Sequence, residues 1–176
     1  HALVGHSDRR YKIGLPSTTL GQPKVVLGES DEIINKKVKT ALAAGITPVL
    51  LVGERNRDDD RKLVLERQLS ADLAGLTAEE VAKVLITYEP VWAISTQPDA
   101  VPDTPANTLE AMKIIEEFLS KRYTLNAIRC LYGGSVNQNN VADFLKYPEI
   151  SGAVIGGASL RKDEFAEILK IVDNTK

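Results

Sequence analysis

Cysteine is scarce in this sequence, and long apolar runs are missing from it. There is one cysteine, Cys130, so no disulfide can form within the chain, and a reducing compartment is favoured. No apolar run approaches the length of about 18 residues that a membrane-spanning helix needs, and no signal peptide is recognisable. These absences lead us to expect a cytoplasmic protein that is not embedded in a membrane.

An excess of charge of one sign is also missing. The chain has 22 Lys and Arg against 24 Asp and Glu, a formal net charge of −2, and no long basic run. Nucleic acids and anionic membrane surfaces are bound mainly through clustered positive charge. The sequence therefore predicts neither a nucleic-acid partner nor a membrane partner.

The composition is that of an ordinary globular protein. The 176 residues are 43% apolar and 26% charged, which is enough material for one sizeable core. We therefore expect a single domain over residues 1–176. Two glycines and two prolines interrupt any periodicity between residues 11 and 27, and this stretch is predicted to be a surface insertion.

Short apolar runs alternate with helix signals along the whole chain. A regular alternation of this kind is typical of a parallel sheet covered by helices, either a (β/α) barrel or a doubly wound fold. In both architectures ligands bind at the carboxyl ends of the strands. The five predicted strands are 2–4, 48–52, 84–88, 127–132 and 153–155.

A carboxylate stands at the end of the third predicted strand. Glu89 follows the run 84–88, and Pro90 ends regular structure directly after it. Trp92 and Ile94 come next, in a loop that could exclude water from the carboxylate. This pattern indicates a general base. The alternative is an ordinary rim carboxylate with Trp92 packed in the core.

Two glycine-rich turns follow the last two predicted strands. The segments 133–135 (Gly-Gly-Ser) and 156–157 (Gly-Gly) each precede a helix, and neither has a bulky side chain that would keep a ligand from the backbone. Helix N-termini favour anions, and many barrels bind phosphate in their last two loops. These turns therefore predict a phosphate site, although glycine pairs also serve tight turns.

Six motifs together resemble one enzyme family. They occur in the order and setting found in triosephosphate isomerases, a family of acid–base catalysts. They span nearly the whole chain, and so many collinear motifs make chance agreement improbable. The motifs are 5–10 (Gly-His-Ser-Asp-Arg-Arg), 28–32 (Gly-Glu-Ser-Asp-Glu), 52–54 (Val-Gly-Glu), 88–94 (Tyr-Glu-Pro-Val-Trp-Ala-Ile), 132–135 (Tyr-Gly-Gly-Ser) and 156–160 (Gly-Gly-Ala-Ser-Leu).

The resemblance implies a reaction and two catalytic residues. Glu89 would move a proton between adjacent carbons of a phosphorylated triose, and His6 would polarise the carbonyl oxygen as a neutral imidazole. The chemistry needs no metal and no organic cofactor, and the sequence shows no clustered metal ligands. We therefore expect none.

The resemblance also implies a phosphate grip and a lid. The grip would consist of Ser135, the amide of Ser95, Gly156 and Gly157. The lid would run from residue 91 to about residue 98 and close over the intermediate to exclude water. Trp92 would hydrogen-bond Glu54 in one lid position, and Ile94 and Val154 would clamp the site above the base.

The resemblance covers five of the family's eight βα units, the fourth to the eighth. The three earlier units are not in the printed sequence, and they include an Asn-x-Lys segment whose lysine neutralises the phosphate and the developing oxyanion. Because one preorganised donor is worth about 10²–10³ in rate, we expect the chain alone to be severely impaired. Five parallel strands also leave two open edges, so we expect a homo-oligomer or a complementing N-terminal fragment.

Two other functions remain open at this stage. A catalytically silent half-barrel could persist as a phosphate-binding or assembly module, and the missing lysine is consistent with it. Another barrel enzyme with a C-terminal phosphate site would explain the glycine pairs, but not the Glu89 loop together with the His6 motif. Turnover, as opposed to substrate binding alone, separates the first alternative from an isomerase.

Overall fold

A computed structural model describes residues 1–10, 28–97, 99–125 and 128–175. The predicted surface insertion at 11–27 lies outside the described residues. Strands and helices alternate as the sequence predicts. In chain order they are β1 Ala2–Val4, α1 Ser7–Arg10, α2 Asp31–Ala43, β2 Pro48–Val52, α3 Arg61–Asp72, α4 Ala78–Val81, β3 Leu85–Tyr88, α5 Pro105–Tyr123, β4 Cys130–Tyr132, α6 Val141–Leu145, β5 Ile150–Ala153 and α7 Lys162–Thr175, with 3₁₀ turns at Val91–Ala93 and Gly157–Leu160.

The five strands form one parallel sheet in the order β1-β2-β3-β4-β5. A doubly wound fold has a point at which the strand order reverses, and this sheet has none. The sequential order is that of consecutive units of a (β/α) barrel, so the prediction of a partial barrel is confirmed. Within the described ranges β1 and β5 each pair on one side only, and β3 is central.

The core lies between the sheet and the helices that cover it. All five residues of β2 are buried, as are three of the four in β3. Met112 of α5 packs in this core. Cys130 is also fully buried there, and burial raises the pKa of its thiol to about 12. Both sulfur residues therefore serve packing.

Local capping signals set the helix starts. The Asp60 carboxylate accepts from the Leu63 amide at 3.0 Å and begins α3. Thr77 and Glu80 form a capping box at the start of α4. Thr104 caps α5, with a proline at the first helical position. Among the helices of the described residues, none has both the length and the apolar character to cross a membrane.

Two sequence predictions need correction. The last strand is Ile150–Ala153, not 153–155, because Ile150 and Gly152 already pair with Cys130 and Leu131 of β4, although Ser151 and Gly152 interrupt the apolar run. The fourth strand begins only at Cys130; part of its predicted range, residue 127, lies outside the described residues.

Gly53, directly after β2, allows the close approach of two strand ends. A Cβ at this position would lie 2.1 Å from the carbonyl oxygen of Glu89. The buried Gln68 side chain fixes the glycine, since its Oε1 accepts from the Gly53 amide at 2.9 Å. The Glu89 amide in turn donates to Val52 O at 2.8 Å. The backbone at the end of β3 is thus packed directly on the end of β2.

Gly53→Ala should lower the free energy of unfolding by about 1–3 kcal/mol, because the added methyl overlaps the Glu89 carbonyl and the backbone must shift. The matched control is Gly157→Ala, where a Cβ would meet no described atom within 4 Å. We expect that control to change stability by less than about 0.5 kcal/mol. Urea unfolding measures both, and equal stability of the two variants would contradict the close approach.

Candidate active site

The sequence-predicted site residues follow four different strands and meet at the carboxyl edge of the sheet. A cleft of about 400 Å³ lies there. Its walls bring together seven of the nine predicted residues: His6, Ile94, Ser95, Ser135, Val154, Gly156 and Gly157. The other two, Glu89 and Trp92, do not belong to the wall that the described residues form.

Glu89 is buried and held by groups from the turn after β1. Its side chain is 4% exposed, its Oε2 accepts from the Ser7 amide at 2.9 Å, and its Oε1 lies 3.1 Å from His6 Nε2. Burial raises the pKa of the carboxyl to about 8, although the Ser7 hydrogen bonds oppose the shift. Near neutral pH the acid form of this carboxyl therefore predominates, and the base form becomes equally populated at about pH 8.

The protonation of His6 follows from its two neighbours. The Asp8 amide donates to Nδ1 at 3.1 Å, so Nδ1 is an acceptor and carries no proton. The proton is then on Nε2, which faces Glu89 Oε1. The ring is a neutral imidazole with one N–H donor at the cleft, the form that can polarise a carbonyl oxygen.

The turn that carries His6 is stabilised by α1. The amides of Arg9 and Arg10 both donate to His6 O, at 2.8 and 3.1 Å. Gly5 precedes the turn with φ +78°, a conformation that favours glycine. The imidazole and the Ser7 amide are thereby presented on the same side, toward Glu89.

The glycine turn after β5 leaves open space on the cleft wall. A Cβ on Gly156 or on Gly157 would meet no described atom within 4 Å. Across the cleft, the Ser135 hydroxyl accepts from the Ser95 amide at 2.7 Å. This bond joins the predicted lid to the glycine loop after β4. The predicted grip residues therefore surround one space large enough for a small anion.

Trp92 lies on the side of the loop away from the cleft. Its Nε1 donates to Glu54 Oε1 at 3.1 Å, which is the hydrogen bond expected for one lid position. The Tyr88 hydroxyl donates to the same oxygen at 2.7 Å, and the Arg61 Nε lies 3.2 Å from it. Glu54 is buried, so it fixes the start of the loop to the end of β2.

Sequence reasoning missed three residues at the site. The Ser7 contact uses a backbone amide, for which side-chain identity gives no signal. Asn140 Nδ2 donates to Ser135 O at 2.9 Å and orders the glycine loop, but a single asparagine in a polar segment is not distinctive. Arg161 lines the cleft near the Gly157 carbonyl, and its position after the second glycine turn was an available signal.

Metal-binding geometry is not a feature of this site. In the ranges that the structure describes, no group of three or more His, Cys, Asp or Glu side chains is placed to hold a metal ion. The site brings the side chains of His6 and Glu89 together, with Nε2 and Oε1 3.1 Å apart. Their arrangement suits proton transfer to and from a ligand in the cleft.

Comparisons with known proteins agree on one family. The family model described as triosephosphate isomerase matches residues 1–172. The triosephosphate isomerase of Endomicrobium trichonymphae is 39% identical over 175 residues, covering 97% of this chain and 63% of that protein. That of Roseiflexus sp. (strain RS-1) is 39% identical over 173 residues, covering 96% and 62%.

A solved structure gives the same result for the fold. The crystal structure of triosephosphate isomerase from Bartonella henselae superposes with a TM-score of 0.73 at 34% identity. It is matched over 98% of this chain and 64% of its own. The chain thus spans less than two thirds of the length of these relatives.

The raised pKa of Glu89 predicts a specific pH dependence of stability. Because the folded pKa is about 8 and the ordinary value is 4.5, the folded chain holds a proton near neutral pH that the unfolded chain has released. Stability from this group is fully present below pH 4.5 and is lost as the pH rises toward 8, by up to about 1.4 kcal/mol per pH unit.

Glu89→Gln should remove this contribution. Unfolding free energies of the original chain and the variant, measured by urea between about pH 5 and pH 7.5, should differ by an amount that changes with pH in that direction. Other titrating groups, including Asp72, are common to both proteins and cancel. Parallel curves would mean that the Glu89 pKa is not raised.

Proposed function

This chain belongs to the triosephosphate isomerase family, and we propose that it interconverts glyceraldehyde 3-phosphate and dihydroxyacetone phosphate with Glu89 as base and His6 as electrophile. The observation that carries the proposal is the contact between a buried carboxyl and a neutral imidazole N–H, 3.1 Å apart, at a glycine-lined cleft. Such a pair suits proton movement next to a carbonyl group.

Glu89 would move the proton. In its carboxylate form it would take a proton from the carbon next to the substrate carbonyl, and the electron pair would pass to the carbonyl oxygen to give an enediolate. The same carboxyl would return the proton to the neighbouring carbon. Because burial raises the pKa to about 8, the carboxylate is a stronger base than an exposed one by about three powers of ten.

His6 would stabilise the charge that develops on oxygen. The Asp8 amide at Nδ1 keeps the proton on Nε2, so the ring donates a hydrogen bond without being an imidazolium. A neutral donor is close in acidity to an enediol and can exchange a proton between its two oxygens. The role requires the position at the cleft wall that the imidazole occupies.

Substrate binding would have to rearrange the pair. Both oxygens of Glu89 face protein groups, Ser7 and His6, and the carboxyl is not on the cleft wall that the described residues form. A carbonyl oxygen entering beside Nε2 would compete for its proton and release Oε1. The carboxyl would then turn toward the substrate carbon, and this step links binding to the onset of chemistry.

The rest of the cleft would hold the phosphate and exclude water. Gly156, Gly157, Ser135 and the Ser95 amide would form the phosphate grip, and the lid from 91 to 98 would close over the intermediate. Ile94 and Val154 would lie above the base as an apolar clamp. The Trp92 to Glu54 hydrogen bond would anchor the base of the lid.

The length of the chain affects the turnover and the partners that we expect for it. It matches 62–64% of the length of the relatives named above, and we propose that it corresponds to their C-terminal five βα units. Tested as these 176 residues alone, turnover should be about 10²–10³ lower than with the family's Asn-x-Lys segment supplied. We further propose that the chain works in the cytoplasm without a cofactor, as a homo-oligomer or with a complementing N-terminal fragment.

One observation favours a second candidate, a catalytically silent phosphate-binding or assembly module. Glu89 is fully engaged by Ser7 and His6, and a silent protein has no need to release it. In that case the cleft would bind a phosphate ester without converting it. The two candidates share the phosphate site and differ only in the proton transfer.

Isomerisation of glyceraldehyde 3-phosphate by the purified chain tests the proposal. We expect measurable turnover that Glu89→Gln lowers by at least about 10²-fold, the scale of one catalytic acid–base group. Turnover should increase as the pH rises toward 8, because the base form is required. The matched control is Glu167→Gln, an exposed residue of α7 that should leave the rate unchanged. Equal rates for both variants would contradict the assignment.

Gly157→Ala tests the phosphate site without disturbing the fold. The methyl would occupy open space at the cleft wall, so the dissociation constant for inorganic phosphate should increase about tenfold while the unfolding free energy is unchanged. The fluorescence of Trp92, the one tryptophan, reports binding because this residue begins the lid. Unchanged phosphate affinity would place the anion elsewhere.

A further inference from the structure

We propose that Arg10 is a positioning residue for the site: its guanidinium holds the turn that carries His6 and the Ser7 amide in register with Glu89. Arg10 is the last residue of α1, and its guanidinium bonds to groups that are not among the predicted site residues: Gly5, Leu51, Asp31 and Asp72. Its importance for catalysis rests on the proposed function, because Glu89 and His6 are the base and the electrophile of that reaction.

The Arg10 side chain folds back under its own turn. Its Nε donates to Gly5 O at 2.7 Å, and Gly5 is the residue directly before His6. Its Nη2 donates to Leu51 O of β2 at 2.9 Å. One planar group therefore ties the start of the His6 turn to the neighbouring strand. Because the N–H groups of a guanidinium point in fixed directions, these hydrogen bonds set the orientation of the His6 turn as well as its distance from β2.

Two carboxylates fix the guanidinium from the helix side. Asp31 of α2 accepts from Nη1 at 2.9 Å, and Asp72 of α3 accepts from Nη2 at 2.5 Å. The Arg10 side chain is 6% exposed, and that of Asp72 is completely buried. A guanidinium with four acceptors in a buried setting has little freedom to move. It therefore connects β1, β2, α2 and α3 at one point.

Gly5 is shaped to receive this group. A Cβ at Gly5 would lie 2.7 Å from Arg10 Nη2, so the guanidinium packs on the bare Cα. Two residues further on, the Ser7 amide meets Glu89 Oε2. The path from Asp72 through Arg10 and Gly5 to Glu89 is thus a continuous series of contacts, and it acts on the carboxyl that needs exact placement.

The neighbouring Arg9 provides a matched control. It is also in α1 and ion-paired, but its guanidinium contacts Glu29, at 2.6 and 2.7 Å, on the protein surface. Arg9→Lys and Arg10→Lys both keep the positive charge. Lysine has one ammonium group and cannot reach the Gly5 and Leu51 carbonyls and both carboxylates together. Only Arg10→Lys should therefore loosen the turn.

Titration of Glu89 in the chain itself tests the proposal. The side-chain carboxyl is followed by NMR after labelling of glutamate, and its signal is assigned with Glu89→Gln. The titratable and charged groups around it are His6, Asp8 and Arg10; His6 and Asp8 are unchanged in both lysine variants, and the positive charge at position 10 is kept. The Ser7 hydrogen bond holds the Glu89 pKa down. Arg10→Lys should weaken this hydrogen bond and therefore raise the Glu89 pKa by half a unit or more. Arg9→Lys should leave it unchanged.

Hydrogen exchange of the Ser7 amide is the second measurement, and it also serves if Arg10→Lys does not fold. Asparagine has nearly the same shape as aspartate, and burial already disfavours the charged form of Asp72 by raising its pKa to about 6. We therefore expect Asp72→Asn to fold. It should speed Ser7 exchange at least threefold, with Arg9→Lys as the unchanged reference. Normal Ser7 exchange with a normal Glu89 titration would overturn the proposal. Neither measurement requires turnover, so its outcome is independent of whether the chain is an isomerase.

Discussion

The site depends on one energetic conflict: a carboxyl that prefers water is buried at the end of the central strand. Glu89 is almost completely enclosed, and burial alone would keep it protonated. The Ser7 amide opposes this by donating to the carboxylate. The balance brings the pKa near 8, where a proton can be both taken and returned. Without burial the group would be a weak base, and without the amide it would be locked as an acid.

Much of the surrounding structure serves to maintain that balance. Gly53 allows the ends of β2 and β3 to approach, which fixes the backbone of Glu89. The turn after β1 brings the Ser7 amide and the neutral His6 to the carboxyl. Glu54 holds the beginning of the lid through Trp92. The contacts come from the neighbouring ends of β1, β2 and β3, which explains why a parallel sheet suits the chemistry.

The fold and the location of the site could be predicted from sequence to a large extent. Glu89 after an apolar run and the glycine pairs after two others predict a ligand site at one edge of the sheet, because parallel strands all end there, and a cleft lies at that edge. The strand at 150–153 was misplaced because Ser151 and Gly152 break the apolar pattern. The contacts between these residues could not be predicted. Nothing in the sequence places a Ser7 amide on Glu89 or a guanidinium under Gly5, since these contacts join residues far apart in the chain or use the backbone.

The central claim is that Glu89 takes a proton from a carbon atom beside a carbonyl, and deuterium exchange measures that step directly. Dihydroxyacetone phosphate is incubated with a molar excess of the chain in D₂O, and loss of the carbon-bound proton next to the carbonyl is followed by NMR. The account predicts exchange that is abolished in Glu89→Gln and preserved in Glu167→Gln. Absence of exchange by a folded chain that binds inorganic phosphate would contradict it and leave a phosphate-binding half-barrel.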